Sequence, residues 1–346
     1  MPDAQMRPND PQGNPSADEA ITAISQVAYG FMGSQALFAA LDLRLFTALE
    51  SGPLEAEPLA AQIGAGLDPL RSLLEACVAL GLVIREGETY RNSKAASRYL
   101  VKEARGYMGD YYLRQIAETL YHQMPDARAA LRGEAGANYS AFLNDPVRTE
   151  AFIRGQHAGS AGPAYLLSRN PELANYKCLL DLGGGSGAFS IEAVRRNPNL
   201  AGIVFDQPQV VTFAKKFIAE EGFDNRIRCV AGDVVKDDWP QGGDLILLSY
   251  IISSYRPQAV QEMLNRAFAY LPKGGGIFIH DFAMYGDRPG PRNAALWQFA
   301  NLAISATTYP HRQVDIIAAM NIAGFADVSM RPHIPDITFL FSGRRL

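Results

Sequence analysis

The stretch CLLDLGGGSGAFSIEAVRR, residues 178–196, decides the fold. Cys178 to Leu182 is an apolar run of strand length, and Phe189 to Arg196 places apolar residues at helical spacing. Between them, Gly183, Gly184, Gly185, Ser186 and Gly187 let the backbone turn sharply and approach a ligand closely, while the start of the helix offers unpaired N–H donors. Gly183, Gly185 and Ala188 also fit G-x-G-x-x-A, so a nicotinamide-binding fold must be weighed. Asp181 argues against it. An acid just ahead of the glycines would meet the negative charge of a pyrophosphate, but it suits a ligand with an ammonium group and no phosphate.

Downstream the pattern repeats. Apolar runs GIVFD (202–206), IRCVAGD (227–233), DLILLSY (244–250) and GIFIHDF (276–282) alternate with helical stretches such as VVTFAKKFIAEEG (210–222) and PQAVQEMLNRAFAYL (257–271). This alternation predicts an α/β, Rossmann-like domain with a mainly parallel sheet and helices on both faces. Asp206 ends the second strand, placed to accept both hydroxyls of a ribose, and Asp233 follows the third, where a carboxylate can reach an adenine amino group. Three acids after three successive strands, with one glycine turn, describe a site for S-adenosylmethionine (SAM). The expected cofactor-binding set is Asp181, Gly183, Gly185, Asp206, Gln207, Asp233, Val234 and Ser249.

The N-terminal half has a different texture. From Asp18 to about Leu100 the periodicity is helical, and residues 58–93 read as helix, turn, helix and a short hairpin around Gly87, a winged-helix outline. Arg71 is the one basic residue between Pro58 and Leu82, which leaves a recognition helix without groups for phosphates and base edges. The net charge of -4 and the absence of a basic cluster likewise exclude nucleic acid as a partner. Three separated cysteines indicate neither disulfides nor structural zinc, no other metal set is expected, and a reducing cytoplasm fits. The sequence has no apolar run long enough for a membrane span. Expected boundaries are a disordered tail over 1–17, a helical winged-helix-like dimerisation domain over 18–105, a helical region lining the acceptor site over 106–175, and a SAM-binding catalytic domain over 176–346.

DLGGGSG at 181–187, FDQP at 205–208, GDVV at 232–235 and LPKGGG at 271–276 carry a family resemblance. Over about residues 20–346 the chain resembles the class I SAM-dependent methyltransferases of the plant-type and hydroxyindole-type O-methyltransferase family. The resemblance implies a homodimer built through the N-terminal helices and methyl transfer to a small molecule. It further implies an acceptor site lined by segments carrying Tyr112, Arg114, Tyr139, Arg154, Gln156, Tyr250, Trp297 and Asn301.

One departure stands out. The family's O-methylating members carry a catalytic His and an Asp just after the fourth strand, where this chain has Ser253 and Ser254. A serine hydroxyl cannot stand in for imidazole as a general base near neutral pH. Asp281, which aligns with the acid that orients the missing His, and His157, on a helix resembling the one that lines the SAM methyl, are the remaining catalytic candidates. Without a base, S-, N- or C-methylation is favoured, and a thioether is the simplest acceptor because its product never releases a proton. The expected acceptor is a thioether carboxylic acid of the 4-methylthio-2-hydroxybutyrate type, as in dimethylsulfoniopropionate synthesis, held by Arg154 or Arg114. Alternatives are N- or C-methylation, O-methylation with a different base, a SAM-binding member that no longer transfers methyl, and a winged-helix regulator with SAM as effector.

Overall fold

The computed structural model describes residues 16–133, 145–305 and 307–346, so Tyr139 and the first fifteen residues of the expected tail lie outside the described residues. The chain divides into two compact units between Gly109 and Asp110.

In the N-terminal unit a long helix, Ala17–Asp42, opens with a capping box: Ser16 Oγ accepts from the Glu19 N–H and the Glu19 carboxylate accepts from the Ser16 N–H. Its C-terminal end is anchored by Phe38 and Leu41, which are buried with Leu45, Phe46, Leu59, Leu70, Leu74 and Cys77 as this unit's core. Its N-terminal end exposes Ile21, Ile24, Val27, Phe31 and Met32. The predicted hairpin is present as β2 (Val83–Glu86) and β3 (Thr89–Asn92), joined by Gly87 at φ 62°. A further strand, β1 (Leu54–Glu55), pairs antiparallel with β3 and makes the sheet three-stranded, in the order β1-β3-β2. Two residues are too few to show a strand's alternation, which is why the sequence pattern did not reveal it.

The second unit begins with a π-helix, Tyr111–Leu120, that runs into the helix Tyr121–Leu131. It packs on the helix Pro146–Ser168 at an unusually close distance, because a Cβ on Gly155 would lie 2.9 Å from the Gln115 backbone nitrogen and one on Gly159 2.5 Å from the Tyr111 ring.

The sheet follows as β4 (Cys178–Leu182), β5 (Ala201–Asp206), β6 (Ile227–Ala231), β7 (Leu245–Ser249), β8 (Gly276–Asp281), β9 (Ala326–Ile334) and β10 (Thr338–Arg344). Their order is β6-β5-β4-β7-β8-β10-β9, with the first five parallel and β10 antiparallel to both of its neighbours. The central strands β7 and β8 are buried along their whole length, as continuous apolar runs require when helices cover both faces. One face packs Leu180, Leu182, Ile246, Leu248 and Ile279 against the helix Pro257–Tyr270. The other packs Leu179, Val204, Leu247 and Phe278 against the helix Ala188–Arg196. The chain runs outward from β4 to β6 and then returns to lay β7 on the other side of β4. Sheets of this kind bind ligands outside the carboxyl ends of the strands at such a reversal, here between β4 and β7.

Candidate active site

The end of β4 shapes the cofactor side. Gly183 sits at φ 66°, and any Cβ there would come within 2.2 Å of the Ile251 side chain, so only glycine fits. Asp181, 1% exposed, accepts a hydrogen bond from Ser190 Oγ through Oδ2, while its buried Oδ1 has no partner among the described residues. Burial pushes its carboxyl up to about 7. A buried carboxylate oxygen with an open valence is costly in isolation and is matched by a ligand that brings a cation. An ammonium group on a ligand would meet that demand.

Asp206 does two jobs. Its Oδ2 accepts from the Gly185 N–H at 2.8 Å and its Oδ1 from the Gln207 N–H at 2.7 Å, so this acid braces the glycine turn directly. Burial pushes its carboxyl up to about 6. Each oxygen retains a lone pair for a ribose hydroxyl. Gln207 is the residue that precedes the helix Pro208–Glu220. Asp233 is differently engaged: Oδ1 accepts from the Val235 and Lys236 N–H groups, and Oδ2 pairs with the Lys236 ammonium at 3.1 Å. Burial works to raise its pKa, but these partners outweigh it and hold the carboxyl below its ordinary range. Oδ1 is thus committed to its own turn, Oδ2 retains a lone pair beside an exposed lysine, and Val234 next to it packs on the core.

Toward the acceptor side, His157 lies on the helix Pro146–Ser168 and joins the glycine turn, with Nδ1 2.8 Å from Ser186 Oγ and its ring stacked 4.2 Å from Phe217. Burial lowers its pKa, so it stays neutral near pH 7. Gln156 comes close to the same turn, its Oε1 3.8 Å from where a Cβ on Gly185 would stand. Arg154 pairs with Glu150 at 2.8 Å and Arg114 with Glu118 at 3.3 Å, each within its own helix. Both cations therefore already have carboxylate partners.

Aromatic side chains make up the rest. Tyr111 and Tyr112 are 5.2 Å apart, Tyr250 lies 5.2 Å from Phe282, and Phe282 stacks on Trp297 at 5.6 Å. Asn301 ends the helix Arg292–Asn301, which carries Trp297. Tyr250 adopts φ 57°, a costly conformation for a bulky residue, immediately after β7. Burial pushes the Tyr250 phenol up, and it stays protonated.

At the position of the family's base, Ser253 is 1% exposed. Asp281 accepts from the Ser253 N–H at 3.1 Å and the Phe282 N–H at 2.8 Å, with the Ser253 hydroxyl and the Ile252 N–H also bonded to it. Burial pushes it up to about 6. This acid fastens the loop after β7 to the end of β8.

A family description, O-methyltransferase domain, matches residues 114–326, and a second, O-methyltransferase dimerisation domain, matches residues 25–102. The chain belongs to the O-methyltransferase family. A relative from Streptomyces sahachiroi, 3-hydroxy-5-methyl-1-naphthoate 3-O-methyltransferase, is 32% identical over 82% of this chain and 84% of its own length. The N,N-dimethyltransferase OxyT of Streptomyces rimosus is 30% identical over 75% and 77%. The crystal structure of human N-acetylserotonin methyltransferase in complex with SAM superposes with a TM-score of 0.79 at 26% identity, covering 96% of this chain and 99% of that one. The chain is a SAM-dependent small-molecule methyltransferase, and its N-terminal unit carries the family's dimerisation domain.

Proposed function

We propose that this O-methyltransferase family member methylates a neutral amine nitrogen on a flat aromatic acceptor, by alignment rather than base catalysis. The observation that carries this reading is the buried pair at the family's base position. Ser253 is closed off from solvent, and Asp281 is surrounded by the N–H and hydroxyl donors it fixes. Neither is placed to take a proton from an acceptor.

SAM supplies a sulfonium, an activated leaving group. As the acceptor's lone pair forms its bond to the methyl carbon, the sulfur–methyl bond breaks, and the electron pair stays on the sulfur of S-adenosylhomocysteine. Holding the two partners in line supplies most of the acceleration. A neutral amine attacks with its proton in place and gives it to solvent afterwards, whereas a phenol near neutral pH has to lose its proton first. The rings of Tyr111, Tyr250, Phe282 and Trp297 suit a flat acceptor, and aromatic faces attract the cation that the transfer passes on.

Identity to the naphthoate relative supports a second reading, O-methylation of an acidic aromatic hydroxyl. The thioether acid needs a cation for its carboxylate, and the pairing of Arg154 with Glu150 and Arg114 with Glu118 weakens the support for it. Assay by mass spectrometry with SAM and three acceptors, an aminonaphthoate, a hydroxynaphthoate and 4-methylthio-2-hydroxybutyrate, separates the three. The amine should gain methyl groups fastest. Turnover of the thioether with none of either aromatic acceptor would overturn the reading.

A further inference from the structure

Gln298 is a polar side chain in a covered place. It lies on the helix Arg292–Asn301 and is 5% exposed, yet neither its Oε1 nor its Nε2 has a hydrogen-bond partner among the described residues. An amide without partners is costly to bury, because its N–H groups and carbonyl lone pairs give up water and gain nothing in exchange. A methionine, of similar length and apolar, would fill the position without that cost.

The burial pattern of the helix shows which way the amide faces. Ala295, Leu296 and Phe299 are exposed and Ala294 and Ala300 are buried, so the inward side is the one that carries Trp297 and Gln298. Successive helical residues are about 100° apart, which sets Asn301 between those two directions. Trp297 stacks on Phe282, and Phe282 lies 5.2 Å from Tyr250. Gln298 thus belongs to the helix side that bears the aromatic wall. The helix Tyr121–Leu131 packs on this helix, and on its covered face, one turn before the wholly buried Ala127, the buried Oε1 of Gln123 also has no partner among the described residues.

Together the two glutamines leave two carbonyl oxygens that can accept and one NH2 group that can donate. A primary carboxamide is their complement: its two N–H bonds serve the oxygens and its carbonyl accepts from Gln298 Nε2. A carboxylate has no hydrogen to offer and would set its charge against two carbonyl oxygens. A hydrocarbon edge leaves all three groups unmet.

We propose that Gln298, assisted by Gln123, is a specificity-determining residue that reads a neutral primary carboxamide on the ring of the acceptor. The inference rests on the reading of the acceptor as a flat aromatic molecule, adds a second functional group to it, and is independent of whether nitrogen or oxygen takes the methyl group.

Calorimetry on the enzyme saturated with S-adenosylhomocysteine tests this without turnover. The probes are 2-naphthamide, 2-acetylnaphthalene, which accepts but cannot donate, and 2-naphthoate. The carboxamide should bind about tenfold more tightly than either of the others. Gln298→Met should erase that advantage and bring 2-naphthamide to the level of 2-acetylnaphthalene, while Gln123→Met should reduce it about threefold. Both variants should bind S-adenosylhomocysteine as the unmodified enzyme does, and ligand-free Gln298→Met should melt no lower, since it removes an unmet amide. Equal binding of the three probes to the unmodified enzyme overturns the proposal before any variant is made, and so does a carboxamide advantage that survives Gln298→Met. A lowered melting temperature in Gln298→Met, the mark of an amide already satisfied inside the fold, counts the same way. Failure of all three probes to bind would remove the flat aromatic acceptor itself, and this inference with it.

Discussion

Asp181 and Asp281 end two parallel strands of one sheet, are equally buried, and carry raised pKa values, yet they stand in opposite situations. Asp281 is surrounded by donors from its own loop, and its oxygens are satisfied within the fold. Asp181 is bonded only by the hydroxyl and the N–H of Ser190, and one of its oxygens has no partner among the described residues. Burial alone therefore does not mark a binding group. An open valence on a buried carboxylate is the sharper mark, because a ligand that brings a cation removes its cost.

The sharpest break of this comparison is a matched pair of substitutions. Asp181→Asn should weaken SAM about a hundredfold, from the loss of a charge-assisted contact of roughly 1.5–3 kcal/mol and its neighbours' alignment. At pH 8 it should also raise the melting temperature of the ligand-free enzyme, by removing a buried, unpaired charge. Asp281→Asn should do the reverse, lowering stability by about 1–3 kcal/mol while calorimetric SAM affinity stays close to normal. If both substitutions weaken SAM alike, the distinction between the two acids fails.

A pH series tests the same contrast without mutation. The folded-state carboxyls of Asp181, Asp206 and Asp281 lie at about 7, 6 and 6, above their ordinary 3.8. Folding therefore takes up protons between roughly pH 4 and 7. These groups add stability that is fully present below the ordinary carboxylate pKa and is lost as pH rises through 6 and 7. Ligand-free enzyme should accordingly melt higher at pH 6 than at pH 8 as far as these acids decide it. SAM affinity should move the other way, falling below pH 7 as Asp181 takes a proton and can no longer pair with an ammonium. Parallel trends would show that Asp181 does not face the cofactor.

Smaller effects sharpen the outline. Asp233→Asn should change SAM affinity less than about threefold, since the carboxylate serves the Val235–Lys236 turn and an amide oxygen can still accept there. Ser253→Ala should be the mildest, retaining most of the turnover. A loss of about a hundredfold would restore a proton-transfer role to this position.

What could be read from sequence is what is local. The glycine turn, its helix and the acids at the strand ends sit within short windows whose spacing has a direct geometric meaning. What could not be read are contacts between distant positions. The bond from the Gly185 N–H to Asp206 joins residues 21 apart, and nothing in either neighbourhood announces it. Arg114 and Arg154 looked like free cations, but Glu118 and Glu150 four residues away were present in the sequence, and spacing of that kind is a sign of pairing within a helix. The π-helix Tyr111–Leu120 has the same letters as an α-helix and differs only in how its backbone winds.

The two glycines of the helix Pro146–Ser168 carry a consequence for the spacing of that helix and the π-helix. Gly155 and Gly159 let the π-helix settle against bare backbone, so the gap between the segment bearing Tyr111 and Tyr112 and the one bearing Gln156 and His157 is set by two hydrogen atoms. That interval is already at its minimum. A side chain at either position can push the two helices apart and none can bring them closer, so this spacing can be changed in one direction only.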